Sequence, residues 1–334
     1  MTTGVKRLVE VAVCVAALWG VLPAQAQVAG APGGAAAPYP TRPVRLIVGF
    51  PPGGGNDVIA RLIAARLQDA WSQPVIVDNR PGADGVIATE QAAKASADGY
   101  TLLIGAAGQM TALPALHRSL PYDTLRDFAP VGLIASFPLV LTVHPDVKAG
   151  TPAELVALAK ASPGKLNYGA GASAFQLAME QFKQLAGIDV RHIAYKGGAQ
   201  TVTALLAGDV QITLVDSTPV LPHLHTGRLR ALAVTSARRS QALPGVPTMM
   251  ESGFPGYEVV LWTGLFARSG TPDSVVQQLQ RDLGVALRST DVRDRFAALG
   301  LDAGSASGAQ FAALVKSELT RWAEVARIAH LQTE

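Results

Sequence analysis

Glycine-rich stretches that follow apolar runs are the residues in this chain best suited to chemistry. Gly53, Gly54 and Gly55 stand between VRLIVGF (44–50) and a helical pattern that starts at Val58. Such a turn exposes several backbone N–H groups, with the positive end of a helix dipole behind them. It is a seat for a negatively charged oxygen. No Lys follows the glycines, so the GxxxxGK[ST] arrangement of a phosphate loop is absent. GGGND also fails GxGxxG, because Val58 occupies the last position. A carboxylate is a smaller anion that such a turn could hold. The same glycines also suit a tight turn at positive φ, and the stretch alone leaves both roles open. Asp57 reads as the cap of the helix that follows.

Other chemistry is thin. Gly169 to Ala174 fits GxGxxA after a strand and before a helix, and Asp189 lies downstream. A dinucleotide site needs that acid at the end of the next strand. Asp189 precedes the strand VRHIAY and so belongs at the opposite edge of the sheet. No GxSxG nucleophile turn occurs. His223 and His225, one residue apart with no acid or third histidine near, read as part of a solvated loop. His144 and His192 lie in strand regions and read as structural. Lys196 is placed either to meet an anion or to reach solvent. Arg80 reads as structural, and Trp262 as core, with a pocket wall as the alternative. The mature chain offers no metal site and calls for no cofactor.

These residues must be positioned by alternating elements. Strands are expected at VRLIVGF (44–50), PVIVDN (74–79), TLLIGA (101–106), LIASFPLVLTVHP (133–145, interrupted at Pro138) and KLNYGAG (165–171). Further strands are expected at VRHIAY (190–195), VQITLVD (210–216), LRALAVT (229–235) and VVLWTGLFAR (259–268). Helical spacing covers 58–67, 86–95, 175–186, 200–207, 272–287 and 309–328. Thr151 caps another helix, with Pro152 at its first position. The β-α-β alternation predicts parallel sheets with helices on both faces. Glycines or short polar residues follow strand after strand, where ligands sit in open parallel sheets. Two groups of such loops predict two α/β lobes facing a cleft.

The start of the chain sets the compartment. Lys6 and Arg7 precede an apolar run, 11–22, that is too short for a membrane span, and Ala24, Gln25 and Ala26 form a small-x-small site. Residues 1–26 read as a signal peptide, and 27–38 as a flexible Gly/Ala/Pro linker. The sole cysteine, Cys14, falls within the removed segment, and Val13 is too large for a lipidation site there. The mature chain then has no disulfide and no thiolate. Its formal net charge falls from +3 to +2 with the loss of two positive charges and one negative. With no basic stripe, nucleic acid is not expected as a partner. From Tyr39 onward roughly 295 residues remain, enough for one large domain or two of ordinary size.

YPTRPVRLIVGFPPGGGND, VDNRPGADG, DGYTLLIG, NYGAG, AYKGG, GRLRALAVTSARRSQALPGVPTMMESGFPGYE and LWTGLFARSGTP occur in that order. From Tyr39 onward the chain resembles the Bug family, the periplasmic solute-binding components of tripartite tricarboxylate transporters. The resemblance implies a monomeric, non-catalytic receptor with a periplasmic-binding-protein-like α/β fold: two lobes around a cleft, joined by two crossover strands. The lobes would be 39–141 plus 262–334 and 142–261. It implies a small carboxylated ligand held by backbone amides, hydroxyls and water, then delivered to a membrane transporter or a sensor. A secreted α/β hydrolase is the alternative.

By the same resemblance the ligand loops are Gly53–Asp57, with Phe50, Gly54, Gly55, Asn56 and Asp57, and Ala83–Gly85, with Asp84. A third surrounds Gly108, with Ala107 and Gln109. A fourth surrounds Ser173, with Gly171, Ala172 and Gln176. A fifth is Lys196, Gly197 and Gly198, and Asp216 closes the set at a strand end. Two departures touch this site. Asn56 stands where the family usually has Thr. The loop after NYG is short, with Gln176 in place of the usual His.

Overall fold

The computed structural model describes residues 39–304 and 307–331. The expected signal peptide, Cys14 and the linker lie outside them. β1 (Val44–Val48) is apolar on both faces, with Val44, Leu46, Ile47 and Val48 all buried. That is the signature of a strand in the middle of a covered parallel sheet. α1 (Gly55–Trp71) follows and buries Ile59, Ile63 and Leu67. It begins earlier and ends later than the spacing predicted. β2 (Val75–Asn79), α2 (Val86–Ala93) and β3 (Thr101–Ala106) complete a βαβαβ unit. Both β2 and β3 pair with β1 in parallel, Val44 facing Val75 and Arg45 facing Thr101. A π-helical turn at Gly108–Ala112 and two short helices, α3 (Leu113–Leu116) and α4 (Thr124–Asp127), lead into β4 (Phe128–Val143).

The second group of strands repeats the alternation. α5 (Pro152–Ala161) starts at Thr151, whose hydroxyl accepts from the Glu154 N–H. β5 (Asn167–Ala170), α6 (Ser173–Ala186), β6 (Arg191–Ala194), α7 (Gly198–Ala207) and β7 (Ile212–Asp216) follow. β5 lies parallel to both β6 and β7. Asp189 is therefore at the far edge from the glycine turn, as expected. Next come α8 (Ser217–His225), β8 (Arg230–Val234), β9 (Val260–Arg268), α9 (Asp273–Arg288), α10 (Thr290–Ala298), β10 (Asp302–Ala303) and α11 (Gly308–Ile328).

Two of the expectations need correcting. His223 and His225 sit in the last turn of α8, not in a loop. Pro219 and Pro222 in that stretch had masked the helix. β4 is not interrupted at Pro138. Its sixteen residues run unbroken, and Pro138 is where the partner changes. Up to Pro138, which faces Val260, β4 pairs antiparallel with β9. From Leu139, which faces Asp216, it pairs with β7, and with β8 from Val140. A residue without an N–H donor fits that handover, because no ladder bond is needed from it. β9 also pairs antiparallel with β3. The sheets are thus mixed rather than purely parallel, and β4 ties the two strand groups together. One core runs through both groups, from Met110 and Phe128 to Phe182 and Tyr257. A second lies between α1, β1 and α9. Among the described residues, no helix is long and apolar enough to cross a membrane.

Candidate functional site

Gly53 adopts φ +80°, which glycine reaches without strain. The turn it makes is held by Asp57, but not as a helix cap. The N-cap of α1 is Gly54, and Asp57 lies inside the first turn, 3% exposed. Its Oδ2 accepts from the Gly53 N–H at 2.8 Å and from Arg61 Nε at 3.0 Å. Its Oδ1 accepts from Asn79 Nδ2 at 3.0 Å, and the same amide nitrogen also reaches the Phe50 carbonyl. Burial by itself would raise the Asp57 carboxyl, but the bonds from Arg61, Gly53 and Asn79 hold it below its usual range. The carboxylate is spent on tying the glycine turn to the end of β2. Because Gly54 has no side chain, no side-chain cap covers the first N–H groups of α1.

The same arrangement recurs in the second strand group. Gly197, at φ +90°, is the N-cap of α7 and offers no side chain. Its N–H donates to the Gly171 carbonyl at 2.8 Å, which locks two loops together. A Cβ on Gly171 would lie 2.2 Å from the Gly197 oxygen, so only glycine fits there. α6 begins after Ala172 and α8 after Asp216, again without a side-chain cap bond.

The starts of these four helices converge on one cavity of about 310 Å³. From the first strand group it is lined by Phe50, Gly53–Asn56 and Ala106–Gly108. From the second it is lined by Ala172, Lys196–Ala199, Asp216 and Thr218. Apolar side chains fill the rest of the wall: Ile59, Phe137, Phe175, Leu261, Trp262 and Leu301. Trp262 is 1% exposed and packs edge-on against Phe311, with ring centroids 5.1 Å apart. It serves both core and cavity. Among the described residues its Nε1 has no hydrogen-bond partner. Asn56 accepts from the Thr263 hydroxyl at 2.6 Å through Oδ1, which leaves its Nδ2 toward other partners. Among the described residues no histidine stands in the wall.

Of the residues expected to bind a ligand, Phe50, Gly54, Gly55, Asn56, Ala107, Gly108, Ala172, Lys196, Gly197, Gly198 and Asp216 line the cavity. The others stand behind it. Asp57 and Gly171 brace the turns, as described. Ser173 donates its N–H to Asp84 Oδ2 at 2.8 Å, joining α6 to the turn Ala83–Gly85. Burial raises the Asp84 carboxyl, and the Ser173 hydroxyl and N–H pull it back. Ala83 and Asp84 both adopt left-handed backbone, at φ +47° and +53°. Gln109 is buried and donates to the Thr89 hydroxyl at 3.0 Å. Its Oε1 fills the space where a Cβ on Gly85 would go. Gln176 is partly buried on α6 and is not part of the wall.

Sequence reasoning missed Phe137, Phe175, Leu301 and Thr218. The first two lie in runs that read as core. Leu301 reaches the cavity from the loop before β10, more than a hundred residues away. Thr218 adjoins Asp216 and was within reach of the strand-end pattern. A larger groove of about 850 Å³ has mixed charge, with Arg238, Arg239 and Arg293 against Glu258, Asp294 and Asp302. Among the described residues no cluster of three or more His, Cys, Asp or Glu could hold a metal.

The model for the tripartite tricarboxylate transporter family receptor matches residues 59–331. Protein BugT of Bordetella pertussis is 40% identical over 292 residues, covering 86% of this chain and 90% of that relative. The solved structure of R. palustris Rpa4515 with adipate superposes at a TM-score of 0.83 with 37% identity, over 88% of this chain and 99% of that one. MatC from Rhodopseudomonas palustris with bound malate gives 0.80 and 31%, over 86% and 99%.

Proposed function

The chain belongs to the tripartite tricarboxylate transporter receptor family, and from that premise we propose that its cavity captures a small organic carboxylate. The convergence of four helix starts without side-chain caps on one largely apolar cavity carries this reading. Each such start offers the positive end of a dipole and backbone N–H groups, although the first of α6, on Ser173, is taken by Asp84. Among the described residues the wall carries one cation, Lys196, one acid, Asp216, and no guanidinium. Neutral donors therefore supply most of the attraction.

The magnitudes are adequate. A hydrogen bond to a charged group contributes about 1.5–3 kcal/mol net. Micromolar binding needs about 8 kcal/mol. Four or five such bonds in a cleft closed to water reach that value. The lobes would be 39–141 plus 262–334 and 142–261, turning about β4 and β9 where these strands pass between the two groups. A ligand that touches both lobes stabilises the closed form. The expected signal peptide supports a periplasmic location, and family membership supports delivery to a membrane transporter or a sensor.

A thermal-shift screen of the purified chain against di-, tri- and aromatic carboxylates tests the reading. A ligand raises stability by RT ln(1 + [L]/Kd). At least one carboxylate should raise the melting temperature in a saturable way. Shifts produced by sugars or amines but by no carboxylate would overturn it.

A further inference from the structure

An acid lines a cavity suited to anions, and this is the feature that a simple carboxylate site does not explain. Asp216 ends β7 and starts α8. Among the described residues it forms no ion pair; the Thr218 N–H and hydroxyl and its own backbone N–H stand beside its carboxylate, without a side-chain cap bond on α8. Its Oδ2 lies 3.3 Å from the position of a Cβ on Gly198, at the start of α7. The Thr218 hydroxyl in turn lies 4.0 Å from the position of a Cβ on Gly55, at the start of α1. The turn that bears Asp216 thus faces the glycine turn directly across the cleft. A carboxylate seated on the start of α1 would share a closed cavity with Asp216.

Two carboxylates in one desolvated site cannot both stay charged without a donor between them. Among the described residues Lys196 is the one cation in the wall, and it forms no ion pair with Asp216. We infer that Asp216 makes the cleft select organic acids that carry an N–H or O–H donor on the body of the molecule, an ammonium or a hydroxyl, besides the carboxylate. The inference rests on the carboxylate reading above and narrows it. Burial pushes its carboxyl up to about 6 in spite of the Thr218 N–H and hydroxyl, and no cation among the described residues offsets that burial. A site with a fixed polar group rejects an analogue lacking the matching group far more strongly than an apolar pocket rejects a missing methylene.

The test is titration calorimetry of the purified chain at pH 7.5 with length-matched probes. The four-carbon set is succinate, malate and aspartate; the six-carbon set is adipate and 2-aminoadipate. In at least one set the donor-bearing acid should bind at least about tenfold more tightly than the plain diacid. Preference for aspartate over malate assigns an ammonium, and the reverse assigns a hydroxyl. The Asp216→Asn variant should lose that preference while binding the plain diacid as tightly or more tightly. The wild-type ratio stands as a result by itself if the variant does not fold. Plain diacids that bind as tightly as their donor-bearing partners would overturn this inference and leave the carboxylate reading intact. Binding by none of the carboxylates in this and the wider screen would overturn both.

Discussion

Replacing Asp216 by Asn should stabilise the empty protein, and by an amount that depends on pH. The carboxyl has an ordinary value of 3.8 and is raised to about 6 in the fold, first by burial, against the opposing pull of the Thr218 N–H and hydroxyl. A carboxyl with a raised folded value favours the fold when protonated. That contribution is present below 3.8 and is lost as pH rises through about 6. Above that, the folded chain carries a charge that the unfolded chain hydrates more readily. At about 1.4 kcal/mol per pH unit, the penalty at pH 8 is at most about 3 kcal/mol. At pH 4.5 the same linkage leaves about 1 kcal/mol. Water in the cleft screens part of this, so both figures are upper bounds. For a chain of this size the gain at pH 8 corresponds to a melting temperature higher by up to about 6 °C. The assay is urea denaturation of wild type and Asp216→Asn at the two pH values, without ligand. Because all other groups are shared, the difference isolates Asp216. A variant that is equally or less stable at both pH values would refute the reasoning, since it would mean that the carboxylate is already well satisfied.

Asp57→Ala should cost about 3 kcal/mol in urea denaturation, because it leaves the Gly53 N–H and Asn79 without their acceptor. It should also weaken carboxylate binding at least tenfold, although Asp57 does not touch the cavity. Gly171→Ala places a methyl 2.2 Å from the Gly197 carbonyl oxygen and should cost at least about 2 kcal/mol. Gly227→Ala is the control: at φ +69° with no atom near its Cβ, it should cost only about 1 kcal/mol and leave binding unchanged.

Much of this protein is set by local pattern. Short, mostly apolar runs followed by 3.6-residue spacing name β1, β3, β7 and α1 without reference to anything distant. The glycines at 53–55 and 197–198 mark helix starts because their geometry is a short-range matter of φ and of missing side chains. What the tertiary structure decided is where side chains point and which distant residues share a wall. Asp57 has the composition of a cap or a ligand, and only the approach of Asn79 from β2 turns it into a brace. Pro138 reads as a break in isolation, and it becomes tolerable because β4 changes partners at that residue. Asn56 meets Thr263 across 207 residues, and Trp262 and Leu301 enter the cavity from equally remote segments. Such contacts leave no trace in a window of a dozen residues, since they arise only when β4 and β9 carry two strand groups into register.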